Sequence, residues 1–152
     1  MKWWKKAFGK SGDIDRVSYY NEGLALMAEG NNHEALTSFR LALKESPGDF
    51  LVLQQIAISY TRIGMTEEAE KTYRHVLQKN PDAAGAHYGL AFLLVRSGRD
   101  MDAVPHFRAF LENAPTGQEA SGHVSHARST LARITGESEQ TVVEEGPQPE
   151  LF

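Results

Sequence analysis

The chain has 152 residues, of which 41% are hydrophobic and 24% are charged, a composition that suits one soluble domain with a modest core. Its net charge of −4 hides an uneven distribution, because the first ten residues contain four lysines and no acid, whereas the last sixteen contain five glutamates and no base. The absence of cysteine excludes disulfides, thiolate catalysis and cysteine-based zinc sites. No apolar stretch approaches the roughly 20 residues that a membrane-spanning helix needs.

The first segment, residues 1–15, places Trp3, Trp4 and Phe8 among the lysines. This segment has two possible functions, a membrane contact and a protein contact. The third alternative is an extension without a function. As a membrane-surface element, each lysine would contribute about 1 kcal/mol near anionic lipid, and the aromatic rings would add interfacial burial. As a protein-contact element, the same rings would fill a groove of this chain, of a second copy or of a larger assembly.

Residues 16–117 consist of three segments that align on one another at a spacing of 34 residues. Each segment carries a glycine, then an alanine, an aromatic ring and a proline. The recurring residues are Gly30, Gly64 and Gly98; Ala35, Ala69 and Ala103; Phe39, Tyr73 and Phe107; and Pro47, Pro81 and Pro115. A fixed period of this length indicates a stack of repeated structural units.

Each repeated unit is predicted to be two helices joined by a tight turn, because apolar residues recur at helical spacing on both sides of the glycine. The glycine can take the left-handed conformation that ends a helix, and the proline stops the second helix. Side-chain oxygens are expected to cap the second helix, and they belong to Asn31, Asn32, Thr66 and Asp100. Pro105 lies two residues after Ala103, where we expect a first-turn distortion and not a break.

These segments resemble the tetratricopeptide repeat family, which also places a small residue in the first helix, as in Gly23, Ala57 and Ala91. The resemblance implies an all-α, right-handed superhelical stack of three helix-turn-helix units. We expect these units at residues 16–49, 50–83 and 84–117. Phe110 stands where the family usually has a small residue, so the joint after the third unit is not expected to be a standard repeat-on-repeat contact.

Residues 118–136 carry apolar side chains at helical spacing, which predicts a helix that caps the exposed face of the last repeat. These side chains are Val124, Ala127, Leu131 and Ile134. Residues 137–152 form an acidic tail with poor helix formers, which we interpret as solvated and mobile. The tail ends in Leu151 and Phe152, a candidate linear motif for a partner.

Groups that support catalysis are sparse. The sequence has six histidines, but it has no glycine-rich phosphate loop and no metalloprotease-type His-Glu pair. His123 and His126 are three residues apart on the predicted capping helix and could share a metal. No third histidine is near them in sequence, and an exposed polar face is the preferred interpretation. His87 is predicted to be a packed, partly buried ring. We therefore expect no enzymatic activity, no cofactor and no metal site.

The repeats combine charges of both signs with a slight acidic excess, so no basic stripe for nucleic acid is present. No hydrophobic segment of signal-peptide length follows the basic start. We therefore expect a cytoplasmic protein, with peripheral contact to a membrane as the alternative.

In the tetratricopeptide repeat family the first helix of each pair lines a concave surface, and the resemblance implies a mostly apolar groove here. Apolar patches that the core does not explain usually mark a partner site. The predicted contact residues are Tyr20, Leu24, Met27, Ile58, Arg62, Tyr88, Phe92 and Arg96. Arg62 and Arg96 are expected to set the polarity of the ligand, and the alternative is that some of these side chains complete the core or meet the capping helix.

The predicted function is a non-catalytic adaptor or assembly scaffold that binds an apolar or amphipathic segment of another protein or peptide. The alternative is a structural subunit that self-associates or docks on a membrane complex through its N-terminal aromatic residues. Some members of the family capture a carboxyl terminus with lysine, asparagine and arginine side chains. That mode is disfavoured because no matching position is basic, the residues being Tyr20, Leu24, Gln55, Gly85 and Gly89.

Overall fold

The computed structural model describes residues 11–137, and within that range the chain forms seven α-helices and no strand. Consecutive helices pair through tight turns, and each pair stacks on the next. The all-α superhelical architecture expected from the sequence is confirmed. The helices are α1 Ser11–Ala28, α2 Asn32–Glu45, α3 Phe50–Ile63, α4 Thr66–Lys79, α5 Ala84–Arg96, α6 Asp100–Glu112 and α7 Gln118–Thr135.

The turns inside each helix pair depend on glycine in the left-handed conformation. Gly30, Gly64 and Gly98 have φ angles of 82°, 92° and 74°, a region that other residues rarely adopt. At the second turn, the backbone N–H groups of Gly64 and Met65 both donate to the carbonyl of Tyr60, at 3.0 and 2.9 Å. These bonds satisfy a carbonyl that the end of α3 would otherwise leave free.

The predicted side-chain caps of the second helices are wrong. Asn31 is the N-cap residue of α2, but its amide donates to Glu29 at 3.3 Å and makes no cap bond. Met65 and Arg99 are the N-cap residues of α4 and α6. Thr66 and Asp100 are already inside their helices, because one residue after the turn glycine is enough to start the second helix; Asn32 likewise begins α2.

The core consists of the small and aromatic residues that recur between repeats. Ala35, Ala69 and Ala103 are fully buried, and so are the rings of Phe39 and Phe107. Short side chains at these positions let the two helices of a pair approach closely. The third ring of this series, Tyr73, is also buried, and it packs in the apolar cluster shared by the second and third repeats.

Pro105 lies inside α6, which continues from Asp100 to Glu112 without a break, as predicted. Proline cannot donate the backbone hydrogen bond to the residue four positions before it. The residue is exposed, so its ring does not disturb the packing of α6 on α5.

The last helix, α7, packs on the third repeat. Ala127 is fully buried in the same apolar cluster as Phe107 and Phe110. Near the other end of α7, Arg133 lies 3.9 Å from Asp100 at the start of α6. The end of the array is therefore covered by a helix that follows the third unit directly.

None of the helices in residues 11–137 is long and apolar enough to cross a membrane. Trp3, Trp4 and Phe8, the predicted N-terminal docking residues, lie outside the described residues. The same holds for the tail after Glu137.

Candidate binding groove

The first helices of the pairs, α1, α3 and α5, carry the residues that the sequence assigns to the groove. At the start of the array, Leu24 is 36% exposed, and Val17 and Leu51 are exposed as well. Tyr20 is half-buried, with its ring 5.8 Å from that of Phe39. Large apolar side chains are thus accessible on the first two repeats.

Met27 differs from the other predicted groove residues, because only 8% of it is exposed and it packs in the core cluster of Ala35 and Phe39. Its backbone carbonyl accepts a hydrogen bond from Arg62 at 3.4 Å. The side chain of Met27 therefore stabilises the first repeat and is not accessible to a ligand.

A cavity of about 450 Å³ lies between the second repeat, the third repeat and α7. It brings together three predicted groove residues, Ile58, Arg62 and Tyr88. Its remaining lining comes from Gln54, Tyr73, Gly85, Gly89, Phe110, Pro115, Ala120 and His123. The volume is within the range of pockets that hold small ligands or large side chains.

Tyr73 lines this cavity because α5 has a glycine opposite its ring. A Cβ atom on Gly89 would lie 2.5 Å from the hydroxyl oxygen and from Cζ of Tyr73. Burial raises the pKa of Tyr73, although a hydrogen bond with Thr61 and the charge of Arg62 act in the opposite direction. The hydroxyl therefore stays protonated at neutral pH and remains a neutral polar group.

The third-repeat end of the groove is covered by α7. The ring of Tyr88 lies 4.9 Å from Phe110 and 4.8 Å from His123, measured between centroids. Its hydroxyl lies 3.2 Å from Nδ1 of His123 and 3.4 Å from Nδ1 of His126. His126 stacks on Phe92 at 4.4 Å. Tyr88 and Phe92 thus contact the capping helix, the arrangement that the sequence left open as an alternative.

His123 and His126 share the hydroxyl of Tyr88. Among the residues that the structure describes, no group of three or more His, Cys, Asp or Glu could hold a metal ion. Burial raises the pKa of Tyr88, so its hydroxyl can donate to one ring and accept from the other.

His87 is buried, as predicted, and it forms a pair with His106 that the sequence did not indicate. The two Nδ1 atoms are 3.0 Å apart, and Nε2 of His87 lies 2.6 Å from the carbonyl oxygen of Pro81. A carbonyl only accepts, so Nε2 of His87 carries a proton and the two Nδ1 atoms share another. Burial lowers the pKa of His106, and the charges of His87 and Arg74 lower it further.

The two predicted arginines lie in the last turns of α3 and α5, and both are exposed. Arg62 lines the cavity, whereas Arg96 does not. Both positions place a guanidinium group at the same end of the first helices, where it can pair with an acidic group on a ligand.

Sequence reasoning missed the cavity residues that come from other elements. Tyr73 and Phe110 belong to second helices, whereas the predicted groove residues all lie on first helices. Ala120 and His123 belong to α7, and nothing in their spacing shows that α7 covers the concave side. The glycines opposite large side chains, Gly85 and Gly89, were the available signal.

The stacked helix pairs and their concave groove define a class of protein, the superhelical repeat arrays. Two models described as tetratricopeptide repeat match the sequence, one at residues 17–49 and one at residues 55–117. The chain belongs to the tetratricopeptide repeat family.

Among curated proteins, the chain is similar to the photosystem I assembly protein Ycf3 of Synechococcus sp. (strain CC9605), with 32% identity over 84 residues. The match covers 53% of this chain and 49% of that protein. The chain thus spans about half the length of this relative.

Two solved structures show the same fold at low sequence identity. The type III secretion chaperone SycD of Yersinia enterocolitica, in complex with a peptide of the translocator YopD, has a TM-score of 0.72 and 14% identity, covering 78% of this chain and 91% of that chain. The second TPR domain of human RPAP3, in complex with the HSP70 peptide SGPTIEEVD, has a TM-score of 0.67 and 18% identity, covering 82% and 98%.

Proposed function

We propose that the chain is a non-catalytic adaptor that binds an apolar or amphipathic segment of another protein in its concave groove. The observation that carries this proposal is the cavity of about 450 Å³, whose lining includes the half-buried Ile58. On the preceding repeat, Leu24 is exposed. An exposed apolar side chain on a concave helix, such as Leu24, is available to a partner. Tyr20 and Ile58 pack in part against the core and keep the rest of their surface accessible.

The similar proteins support a polypeptide as the class of ligand. SycD and RPAP3 were each solved in complex with a peptide, and the similar cyanobacterial protein is named as an assembly protein. A role in assembling another complex would use a polypeptide ligand of this kind.

The proposed contact surface has an open part and a covered part. The open part consists of Tyr20, Leu24 and Ile58, and the covered part consists of Tyr88 and Phe92, which already contact α7. Burying one large side chain stabilises a complex by roughly 1.5 to 3 kcal/mol before the cost of association is subtracted. We place Arg62 and Arg96 at the polar side of the ligand, where each would pair with an acidic group.

The experiment that tests this proposal uses Leu24→Glu and, as its matched control, Leu41→Glu. Leu24 and Leu41 are 36% and 40% exposed, but Leu24 lies on the concave helix α1 and Leu41 on the second helix α2. Proteins captured from a lysate by the natural chain are identified by mass spectrometry. We expect Leu24→Glu to lose at least tenfold of a specific captured protein and Leu41→Glu to retain it, with equal helicity by circular dichroism.

The proposal is wrong if both variants capture this protein as well as the natural chain does. Equal loss in both variants, with helicity unchanged, would place the contact surface outside the groove. The ligand would then be identified by titrating segments of the captured protein and finding the one that changes the NMR signals of the Ile58 methyl groups.

A further inference from the structure

The walls of the cavity combine an apolar surface with positive charge. Of the described residues that line it, none is acidic, and Arg62 is exposed. Ile58, Tyr88 and Phe110 supply apolar and aromatic surface. A ligand that places a large apolar side chain in the cavity and a carboxylate next to the guanidinium group would match both features.

The chain itself contains a segment with this chemistry. Residues 138–152 carry four glutamates and no lysine or arginine, and Glu150 directly precedes Leu151 and Phe152. The other end of the chain also has large aromatic rings, but residues 1–10 carry four lysines and no acid. Charge complementarity with the exposed Arg62 therefore selects the acidic segment.

Side-chain contacts place the end of α7 beside α6. Arg133 lies 3.9 Å from Asp100, the first residue of α6, whereas Glu137 lies 3.8 Å from Arg108. Asp100 and Arg108 are separated by eight residues of helix, or roughly 12 Å along the axis. Glu137 therefore lies toward the end of α6 that contributes to the cavity wall.

The length of the segment selects which of its apolar pairs reaches the cavity. From Gly136 back to His123, which lines the cavity, α7 covers roughly 20 Å. At random-coil dimensions, 15 residues, the separation of Gly136 and Leu151, span roughly 20 to 23 Å on average, and about 50 Å when extended. The valine pair at residues 142–143 would reach this distance only when fully extended, about 20 to 25 Å.

We propose that residues 138–152 fold back on their own chain and place Leu151 and Phe152 in this cavity, with Glu150 next to Arg62. A tethered segment acts at a local concentration in the millimolar range, so even a weak contact keeps the cavity occupied. The segment then competes with an external polypeptide for the same surface. The competition, unlike the docking itself, rests on the function proposed above.

The test measures docking in the full chain without any partner. The natural sequence has no cysteine, so Gln148→Cys provides a single site for a nitroxide spin label. We expect the label to reduce the NMR signals of the Ile58 and Ala120 methyl groups at least twofold relative to the reduced, diamagnetic label. The signal loss should disappear in Leu151→Asp/Phe152→Asp and persist in the matched control Val142→Asp/Val143→Asp.

The proposal is overturned if the cavity methyl groups are unaffected by the label, or if the two double variants give the same result. A spin-labelled chain mixed with a separate isotope-labelled chain shows whether the segment reaches a second copy. Signal loss in that mixture equal to the loss within one chain would also overturn the intrachain contact. Because no partner is present, failure of the Leu24→Glu capture test leaves this result unchanged, and the reverse holds as well.

Discussion

At the scale of single residues, the close contact between Gly89 and Tyr73 gives the most direct prediction. A methyl group at position 89 would overlap the ring of Tyr73, which is only 2% exposed. Overpacking costs about 1 to 3 kcal/mol, and the better helix propensity of alanine returns up to about 1 kcal/mol. We expect Gly89→Ala to lower the free energy of unfolding, measured in urea, by about 1 to 2 kcal/mol.

Gly85→Ala is the matched control on the same helix. The three atoms nearest to this Cβ atom would all belong to the amide end of Gln54, a flexible group that can move aside. We expect this variant to change the free energy of unfolding by less than about 0.5 kcal/mol. Equal destabilisation by the two alanine variants would contradict the assignment of Tyr73 as the rigid wall behind α5.

The pair of His87 and His106 predicts a pH dependence of stability. Burial and the charges of His87 and Arg74 lower the pKa of His106 below its ordinary value of 6.5, and Asp102 opposes them only in part. The unfolded chain therefore binds a proton more readily than the folded chain. Stability that is present above about pH 6.5 is lost as the pH falls through the folded pKa.

The measurement compares urea unfolding at about pH 7.5 and about pH 5.5. We expect the loss of stability between these values to be smaller in His106→Gln than in the natural chain. His33→Gln, a change at an exposed histidine of α2, should leave the loss unchanged. A natural chain with the same stability at both pH values would show that protonation does not disturb the pair.

The residues of the core could be predicted from the sequence, whereas the histidine pair could not. Recurrence every 34 residues identifies Ala69 and Tyr73 as buried without any coordinates. His87 and His106 are 19 residues apart in different helices, and their contact depends on the rotation of α6 on α5. Periodicity reports which face of a helix is buried, but it does not report which polar atoms meet across a helix pair.

At the scale of a helix, Pro105 interrupts the hydrogen bonds of α6 in an otherwise regular element. The residue is exposed, so replacing it removes no core contact. Alanine would restore a backbone donor and has a helix propensity up to about 3 kcal/mol better than that of proline. We expect Pro105→Ala to raise the free energy of unfolding by about 1 to 3 kcal/mol.

Thermal and urea unfolding of Pro105→Ala, compared with Met101→Ala, test this expectation. Met101 is 71% exposed on the same helix, and its replacement should change stability by less than about 0.5 kcal/mol. A loss of stability in Pro105→Ala would mean that the proline favours the fold, for example by restricting the unfolded chain.

Helices and turn glycines could be predicted from spacing, but the first residues of the second helices could not. The prediction placed the caps at Thr66 and Asp100, one residue too late, because the left-handed glycine closes the turn by backbone bonds alone. In the same way, spacing predicted α7 as a helix, while its position over Tyr88 depends on contacts from His123 that belong to the tertiary structure.

At the scale of the whole molecule, the array is a line of units in which each contacts its neighbours. An ion-pair network joins the second and third repeats, because Arg99 lies 2.9 Å from Glu70 and also pairs with Asp102. Burial acts to raise the pKa of Glu70, but hydrogen bonds from Arg74 and Arg99 outweigh it and lower the pKa. Since α7 packs mainly on the last repeat, damage to its interface should stay local.

Ala127→Asp tests whether the array behaves as such a line. Ala127 lies on the buried face of α7, so an aspartate there would bury an unpaired charge and detach the helix. We expect amide hydrogen exchange to increase at least tenfold in α7 and to change little in α1 to α4. The matched control is Ser125→Asp, which adds the same charge at an exposed position of the same helix and should leave the exchange of α7 unchanged. Faster exchange in all seven described helices would instead show that the chain unfolds as one cooperative unit. In that case α7 could not move away from Tyr88 and Phe92 without loss of the groove itself.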